Sequence, residues 1–171
     1  PNASKLLVTG GSLGSQILDD VVPAAIFQMK NKKIFVTHQT RPENVARLQK
    51  LYADNKIRAN VLSFIHDMAG AIVDSDLVIS RGGASTVIEL ETIGRGAIIV
   101  PLNINPDQAA NAASFARLGG GFAVSGEKFT PKWLAATLSD LFDNPSRLEK
   151  MAKKSLVPNT AVNAICDEII K

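Results

Sequence analysis

Residues 80–94 read SRGGASTVIELETIG, and they follow the apolar run Leu77-Val78-Ile79. A short apolar run closed by a glycine pair reads as a buried strand and a turn, and Ala84–Ile93 then carries a helical pattern. Strand, glycine turn and helix in that order make half of a β-α-β unit. The same rhythm extends in both directions. Upstream, Lys5–Thr9 is a strand, Gly10–Gly14 a turn, and Leu13–Lys30 a helix marked by Ile17, Val21, Ala24, Ala25 and Met29. Lys33–Thr37 is the second strand. Thr40 with Glu43 three residues on predicts a capping box, with Pro42 in the first turn of a helix that runs to about Asn55. Asn60–Phe64 is the third strand, Met68–Val73 a short helix and Leu77–Ser80 the fourth strand.

Downstream, Ala97–Pro101 is a fifth strand and Gln108–Leu118 a helix that stops at Gly119-Gly120-Gly121. Phe122–Val124 is a short sixth strand. Thr130-Pro131 and Asn144-Pro145 each combine a cap with a proline and start two further helices. A last helix covers roughly Thr160–Ile170. Alternating strands and helices predict an α/β fold, a Rossmann-like parallel sheet with helices on both faces. In such sheets ligands sit at the carboxyl ends of the strands. Four segments lie there: Gly10–Ser15, Phe64–Asp67, Ser80–Thr86 and Asn103–Gln108. They are expected to converge on one crevice.

Composition narrows the class. The 171 residues suit one domain, and 46% hydrophobic residues suffice for a buried core. A net charge of +3 is too weak for a nucleic-acid groove. The single cysteine, Cys166, allows no internal disulfide and points to a reducing cytoplasm. No apolar run approaches the length of a membrane-spanning helix, and no signal peptide is visible. The chain opens at Pro1 and runs straight into a strand, which predicts a piece of a longer protein.

The chemistry of the opening stretch follows from helix ends. A helix N-terminus offers unpaired N–H groups and about half a positive charge. Gly82 and Gly83 let an anion approach the backbone, and Ser85 and Thr86 add hydroxyls, so the turn is a phosphate cradle in general form. Gly10-Gly11-Ser12 opens the first helix in the same way. Glu89 lies four residues after Ser85, on the same helix face. A carboxylate there suits a diol, as an acidic residue does with a ribose. Diphosphate and ribose together describe a nucleoside diphosphate. The pattern is equally that of a plain capped helix with a solvated Glu89.

Rival signals are weaker. Gly10-Gly11-Ser12-Leu13-Gly14 matches a nucleophile elbow between strand and helix, but His38 and His66 are the only histidines and no strand earlier than Lys5–Thr9 is read that could carry the usual oxyanion donor. No G-x-G-x-x-G occurs, and Thr37-His38-Gln39 lacks the acid that NAD binding requires. No G-K-[ST] is present. Asp74-Ser75-Asp76 resembles a metal-diphosphate motif but stands before a strand, on the wrong edge. Neither histidine has a partner at zinc-ligand spacing, although His66 lies at a strand's carboxyl end, where it can line the crevice. Trp133 and Cys166 read as packing residues. Arg147, Lys150, Lys153 and Lys154 form a basic helical face, solvated or set against an anionic membrane.

The runs GGSLGSQ at 10–16, FIHDMA at 64–69, SRGGASTVIELETIG at 80–94, IIVPL at 98–102 and DQAANA at 107–112 resemble the C-terminal domain of the MurG family, in the same order and over nearly the whole chain. The family's members are GlcNAc transferases of GT-B fold that make lipid II from lipid I in peptidoglycan synthesis. The resemblance implies that the C-terminal half holds UDP-GlcNAc. It places Ser12, with Gly14 in the same turn, at the diphosphate. Arg81 and Gly82 match the family's C/S-R-x-G turn, and Ala84, Ser85, Thr86 and Glu89 fall in its A-x-T-x-x-E helix start, with Glu89 on the ribose hydroxyls. Ile65 matches the residue whose backbone holds the uracil edge. Gln108, preceded by Asp107 and followed by Asn111, would read the GlcNAc hydroxyls. Leu13, Ser15, Asp107 and Gly96 depart from the usual family residues, and Asp107 bears on donor preference.

The resemblance further implies that no catalytic residue lies in this chain. The acceptor, lipid I, and the peripheral contact with the cytoplasmic face of the membrane would belong to an N-terminal domain absent here. No metal, cofactor or nucleic acid is expected, and the chain alone should bind donor without turnover. Two other readings stay open: the catalytic chain of a two-chain lipid-linked GlcNAc transferase, and a non-catalytic or epimerase-like nucleotide-sugar module.

Overall fold

The computed structural model describes residues 3–30 and 33–157. The expected helix at Thr160–Ile170 and Cys166 lie outside the described residues. Six strands form one parallel sheet: β1 (Ser4–Thr9), β2 (Ile34–Gln39), β3 (Arg58–Leu62), β4 (Leu77–Ser80), β5 (Ala97–Ile99) and β6 (Gly121–Ala123). Their order across the sheet is β3-β2-β1-β4-β5-β6. The helices are α1 (Gln16–Gln28), α2 (Val45–Asp54), α3 (Met68–Asp74), α4 (Ala84–Ile93), α5 (Pro106–Leu118), α6 (Pro131–Asp143) and α7 (Pro145–Ser155).

Side chains alternate across a strand, so a strand buried on both faces feeds two cores. Leu6 and Val8 of β1 join Leu77 and Ile79 of β4 and Ile98 of β5 in the larger core, with Leu18, Val22 and Ile26 of α1 and Leu134 and Leu138 of α6. Leu7, Val78, Ala97 and Ile99 point the other way and pack with Ile72, Val87, Leu90 and Phe115 of α3, α4 and α5. The sheet is therefore a middle layer covered on both sides, as the sequence predicts.

Several boundaries differ from expectation for identifiable reasons. Helix α1 starts at Gln16 rather than Leu13, because Gly11 and Gly14 have φ of +73° and +64° and the chain is still turning there. Strand β3 lies two residues earlier than expected, in register with β2 from Phe35↔Arg58 to Gln39↔Leu62. The Thr40–Glu43 capping box does not form. A 3-10 turn, Pro42–Asn44, leads into α2 without a side-chain cap, and the Thr40 hydroxyl donates to Asp19 instead. Pro42 does occupy the first position of that turn. Asp74 and Asp76 stand at the amino edge, where Asp74 pairs with Lys5 and Asp76 accepts the Lys5 backbone N–H at 2.7 Å. Trp133 packs edge-on against Phe122. Arg147 of the basic face pairs with Asp140 and lies over the Phe122 ring.

Candidate functional site

The strand order reverses between β1 and β4, so the turns after these two strands diverge at the carboxyl edge. That divergence is where open α/β sheets hold ligands. The turn after β1 is the glycine run. A Cβ on Gly10 would lie 2.5 Å from the Ser15 nitrogen, so the chain folds back on itself only because residue 10 has none. Gln39, at the end of β2, braces this turn: its Nε2 donates to the Gly11 carbonyl at 3.1 Å, and its Oε1 accepts from the Thr9 hydroxyl at 2.6 Å.

The turn after β4 is tied to the one after β5. A Cβ on Gly82 would overlap the Gln108 carbonyl. Asn111 Nδ2 donates to the Gly82 carbonyl at 3.1 Å, and Gln108 Oε1 accepts from the Leu102 N–H at 3.0 Å. The Gln108 amide nitrogen and the Asn111 amide oxygen are left for other partners. Arg81 turns inward and donates to the Val100 carbonyl at 3.0 Å, so it holds the β4 and β5 turns together. Burial pushes its guanidinium down from the ordinary value.

Six helices begin at this edge after a strand, directly or through the loop or turn behind it, and their mouths fall into two groups. Asp67 accepts from the Gly70 N–H at the start of α3, Asn105 from the Gln108 N–H at the start of α5, and Thr130 from the Trp133 N–H at the start of α6. The starts of α1 and α4 have no side-chain cap, nor has that of α2, which the 3-10 turn Pro42–Asn44 leads in. In α4 the first helical bond runs from the Val87 N–H to the Gly83 carbonyl, which leaves the N–H groups of Ala84, Ser85 and Thr86 free of the helix ladder. In α1 the equivalent first bond is Asp19 N–H to the Ser15 carbonyl. Of the uncapped mouths, those of α1 and α4 flank the reversal of strand order. The Oγ atoms of Ser15 and Ser80, beside them, are buried and have no hydrogen-bond partner among the described residues.

Most of the predicted site residues share this edge. Ser12 is exposed at the glycine turn, Ser85 is exposed at the α4 mouth, and Glu89 is half-buried one turn further along the same face. Ile65, in the loop after β3, packs against the smaller core, and His66 beside it stacks edge-on with Phe64. Asp107 is exposed in the first turn of α5. His38 is set apart: it is fully buried, with Nδ1 2.9 Å from the Tyr52 hydroxyl and Nε2 3.1 Å from Asp19 Oδ1. Among the described residues no group of three or more His, Cys, Asp or Glu side chains comes together.

The sequence reading passed over Asp19 and Gln39. Asp19 is fully buried and accepts from His38, from the Thr40 hydroxyl at 2.6 Å and from Asn44 Nδ2 at 2.9 Å. Burial pushes its carboxyl up, but the bonds from His38, Thr40 and Asn44 outweigh this and hold it below the usual range. The phenol of Tyr52 is pushed up by burial and then by the Asp19 charge. The available signal was an acidic residue on the apolar face of α1, between Leu18 and Val22.

Cavity volume does not follow this chemistry. A cavity of about 510 Å³ opens at the amino edge between Gln28, Met29, Lys33 and Phe142. At the carboxyl edge a more open hollow of about 370 Å³ lies beside Pro101, Leu102, Ala109 and Ser125. Asn103 and Glu127 complete its lining, and the glycine turns after β1 and β4 lie outside it. Leu13, Phe64 and Ile104 stand 83%, 60% and 91% exposed at the ends of β1, β3 and β5.

A Rossmann-like parallel sheet covered on both faces, with its free helix mouths at the reversal of strand order, is the C-terminal half of a GT-B glycosyltransferase. The chain belongs to the family of the glycosyltransferase family 28 C-terminal domain, which matches residues 5–167. It is 42% identical over 153 residues to the UDP-N-acetylglucosamine--N-acetylmuramyl-(pentapeptide) pyrophosphoryl-undecaprenol N-acetylglucosamine transferase of Mesorhizobium japonicum, covering 86% of this chain and 41% of that protein. The enzyme of the same name from Agrobacterium fabrum is 43% identical over 153 residues, again with 86% of this chain and 40% of the relative covered. The crystal structure of Acinetobacter baumannii MurG superposes with a TM-score of 0.86 at 35% identity, over 96% of this chain and 51% of that one. The catalytic domain of a Helicobacter pylori cholesterol-α-glucosyltransferase, at 14% identity and a TM-score of 0.64, shares the fold alone. The chain thus spans about two fifths of the length of the curated relatives it matches.

Proposed function

We propose that this chain is the donor-binding domain of an inverting glycosyltransferase that moves GlcNAc from UDP-GlcNAc to the C4 hydroxyl of MurNAc in lipid I, making lipid II for peptidoglycan. The observation that carries the reading is the pair of uncapped helix mouths at the reversal of strand order, with Glu89 one turn inside the second. The free N–H groups of Ala84, Ser85 and Thr86 and the turn at Gly11-Ser12 would receive the diphosphate. Glu89 would accept the two ribose hydroxyls, and the Ile65 backbone would meet the uracil edge. Gln108 keeps its amide nitrogen and Asn111 its amide oxygen for the sugar, and Asp107 stands beside them. Arg81 and Gly82 would act by holding the two turns at the right spacing.

In the reaction the acceptor hydroxyl attacks the anomeric carbon, the bond to the diphosphate breaks and the configuration inverts from α to β. Negative charge grows on the departing UDP. Fixed N–H dipoles at a helix start stabilise such charge without reorganising, so in this reading the helix mouths take the part that a metal plays elsewhere. The acceptor and the contact with the cytoplasmic face of the membrane would belong to a second domain, for which the length of the curated relatives leaves room. Among the described residues no helix is long and apolar enough to cross a membrane.

Calorimetric titration with UDP-GlcNAc, UDP-glucose, GDP-mannose and NAD, with and without chelator, tests the reading. Binding of UDP-GlcNAc that is insensitive to chelator and at least tenfold weaker in Glu89→Ala is expected. Equal affinity in wild type and Glu89→Ala would remove the ribose role and with it the reading.

A further inference from the structure

The hollow at the carboxyl edge contains none of the groups assigned to the nucleotide. It is walled by the loop after β5, by Ala109 of α5 and by the loop after β6, and its lining is Pro101, Leu102, Asn103, Ala109, Ser125 and Glu127. Both loops are fixed by hydrogen bonds to the backbone. Arg81 donates to the Val100 carbonyl, the Leu102 N–H is held by Gln108 Oε1 at 3.0 Å, and the Leu102 carbonyl accepts from the Asn105 N–H at 3.1 Å. Across the hollow the Val124 N–H is held by the Ile99 carbonyl at 2.9 Å, and the Ser125 carbonyl accepts from the N–H groups of Lys128 and Phe129, each at 3.0 Å. Phe129 is buried in the larger core and anchors that turn. An ideal Cβ on Gly126 would lie 3.4 Å from Ile17 Cδ1 and 3.6 Å from Asn103 Oδ1, so the second loop reaches α1 and the first loop at once.

A volume of about 370 Å³ is within the range of small-ligand pockets. The lining narrows the chemistry. Pro101, Leu102 and Ala109 give an apolar wall, and Asn103, Ser125 and Glu127 give an exposed amide, hydroxyl and carboxylate. No cation stands in the lining, and Asp107 adds a second acid in the first turn of α5. Like charges repel, so a phosphate or a carboxylate is a poor occupant. A neutral pyranose ring matches: its C–H face can cover Pro101 and Leu102, and its neighbouring hydroxyls can donate to one carboxylate, which accepts at both oxygens. Position narrows the ligand further. Leu102 is bonded to the Gln108 side chain and Ala109 follows Gln108 in the chain, and Gln108 is the residue read above as meeting the GlcNAc hydroxyls. A ring in the hollow would stand beside the transferred sugar rather than in its place.

We propose that this hollow is a second sugar subsite, for a neutral pyranose ring on the acceptor side of the transferred GlcNAc, with Glu127 as its hydroxyl acceptor. The proposal rests on the donor reading above for which sugar lies next door. It gives the donor domain a contact of its own with the acceptor, in addition to those of the second domain.

Amide-shift NMR titration with methyl N-acetyl-β-glucosaminide, on the chain saturated with UDP-GlcNAc, tests this. Saturable shifts at Leu102, Asn103, Ser125 and Glu127 are expected. Glu127→Ala should weaken the probe at least fivefold while UDP-GlcNAc affinity stays within twofold of wild type, and Ala109→Phe, which fills the hollow, should abolish the shifts. Both positions are exposed, and thermal midpoints within a few degrees of wild type are the folding control, with Ser125→Tyr as the filling variant if Ala109→Phe fails it. No saturable shifts in wild type, or a probe that binds Glu127→Ala as it binds wild type, overturns the subsite. So does binding that is lost once UDP-GlcNAc is added, since the probe then sits in the donor sugar's own place. The donor reading fails separately, as UDP-GlcNAc affinity that ignores Glu89→Ala. In that event the probe is titrated into the free chain, and the same shifts and the same Glu127→Ala loss decide whether the hollow binds a sugar.

Discussion

Helices α4 and α5 start side by side at the same edge of the sheet, and their first turns are built on opposite plans. The mouth of α5 is closed by its own side chains: Asn105 caps the Gln108 N–H, Pro106 removes one donor, and Asp107 adds an acid to the first turn. The mouth of α4 has glycine at the cap position, no acid in its first turn and no side-chain bond. A good cap contributes about 1 kcal/mol over a residue that cannot cap, though only a few tenths over glycine, so α4 gives up a small stabilisation that its neighbour keeps. The difference teaches a division of labour. The closed helix is a frame, and the open one is held against it at van der Waals distance through Gly82, Gln108 and Asn111.

The largest way to break that arrangement is Gly82→Ala. The new methyl would meet the Gln108 carbonyl, which is backbone and cannot swing aside. Overpacking of this kind costs about 1–3 kcal/mol, and the two turns must separate to relieve it. A lowered urea midpoint with little change in m is expected, with loss of UDP-GlcNAc affinity beyond what the stability change accounts for. A midpoint equal to that of wild type would mean the contact is slack and the frame is not a frame.

How far the sequence reveals this depends on range. The bounds of β4 and α4 are legible because apolar run, glycine pair and helical period change at the same residues. The bounds of β3 are not: Arg58 is exposed at the sheet's edge, so the strand is set by pairing with β2 rather than by an alternating pattern. The Thr40–Glu43 pattern is a sound local signal that loses to a distant partner, since Asp19 is buried and takes the Thr40 hydroxyl. The site divides the same way. Gly82, Ser85 and Glu89 announce themselves by residue type within a few positions of one another, and Gln108 enters through the family resemblance. The bracing of Gly11 by Gln39 and the bonds from Thr40 and Asn44 to Asp19 depend on contacts between segments about 20 to 30 residues apart, and no spacing rule reaches them.

A milder change separates frame from mouth. Asn105→Ala removes the cap of α5 and should cost about 1 kcal/mol, read as a fall of several degrees in the thermal midpoint. Because the diphosphate in this reading lies on α4 and α1, UDP affinity should stay within about twofold of wild type. A tenfold loss of UDP binding would instead place part of the nucleotide on α5 and dissolve the distinction between the two helices.

The smallest stability change is the sharpest test. Gly83 has φ −63° and ψ 140°, a backbone open to any residue, and a Cβ there meets nothing within 4 Å. Gly83→Asp therefore builds on α4 the cap that α5 already has, without strain. The cap bond adds a few tenths of a kcal/mol, and the acid at the positive helix end about as much again. The variant should be slightly more stable than wild type. Its carboxylate would also occupy and repel the place where the diphosphate is to sit, so UDP affinity should fall at least tenfold. Few substitutions raise stability and lower binding through the same atoms, and a loss of fold cannot mimic that pair of results. Should Gly83→Asp gain the stability and keep the affinity, the open mouth of α4 would be a helix end left uncapped for no ligand, and the nucleotide would have to be sought at α1.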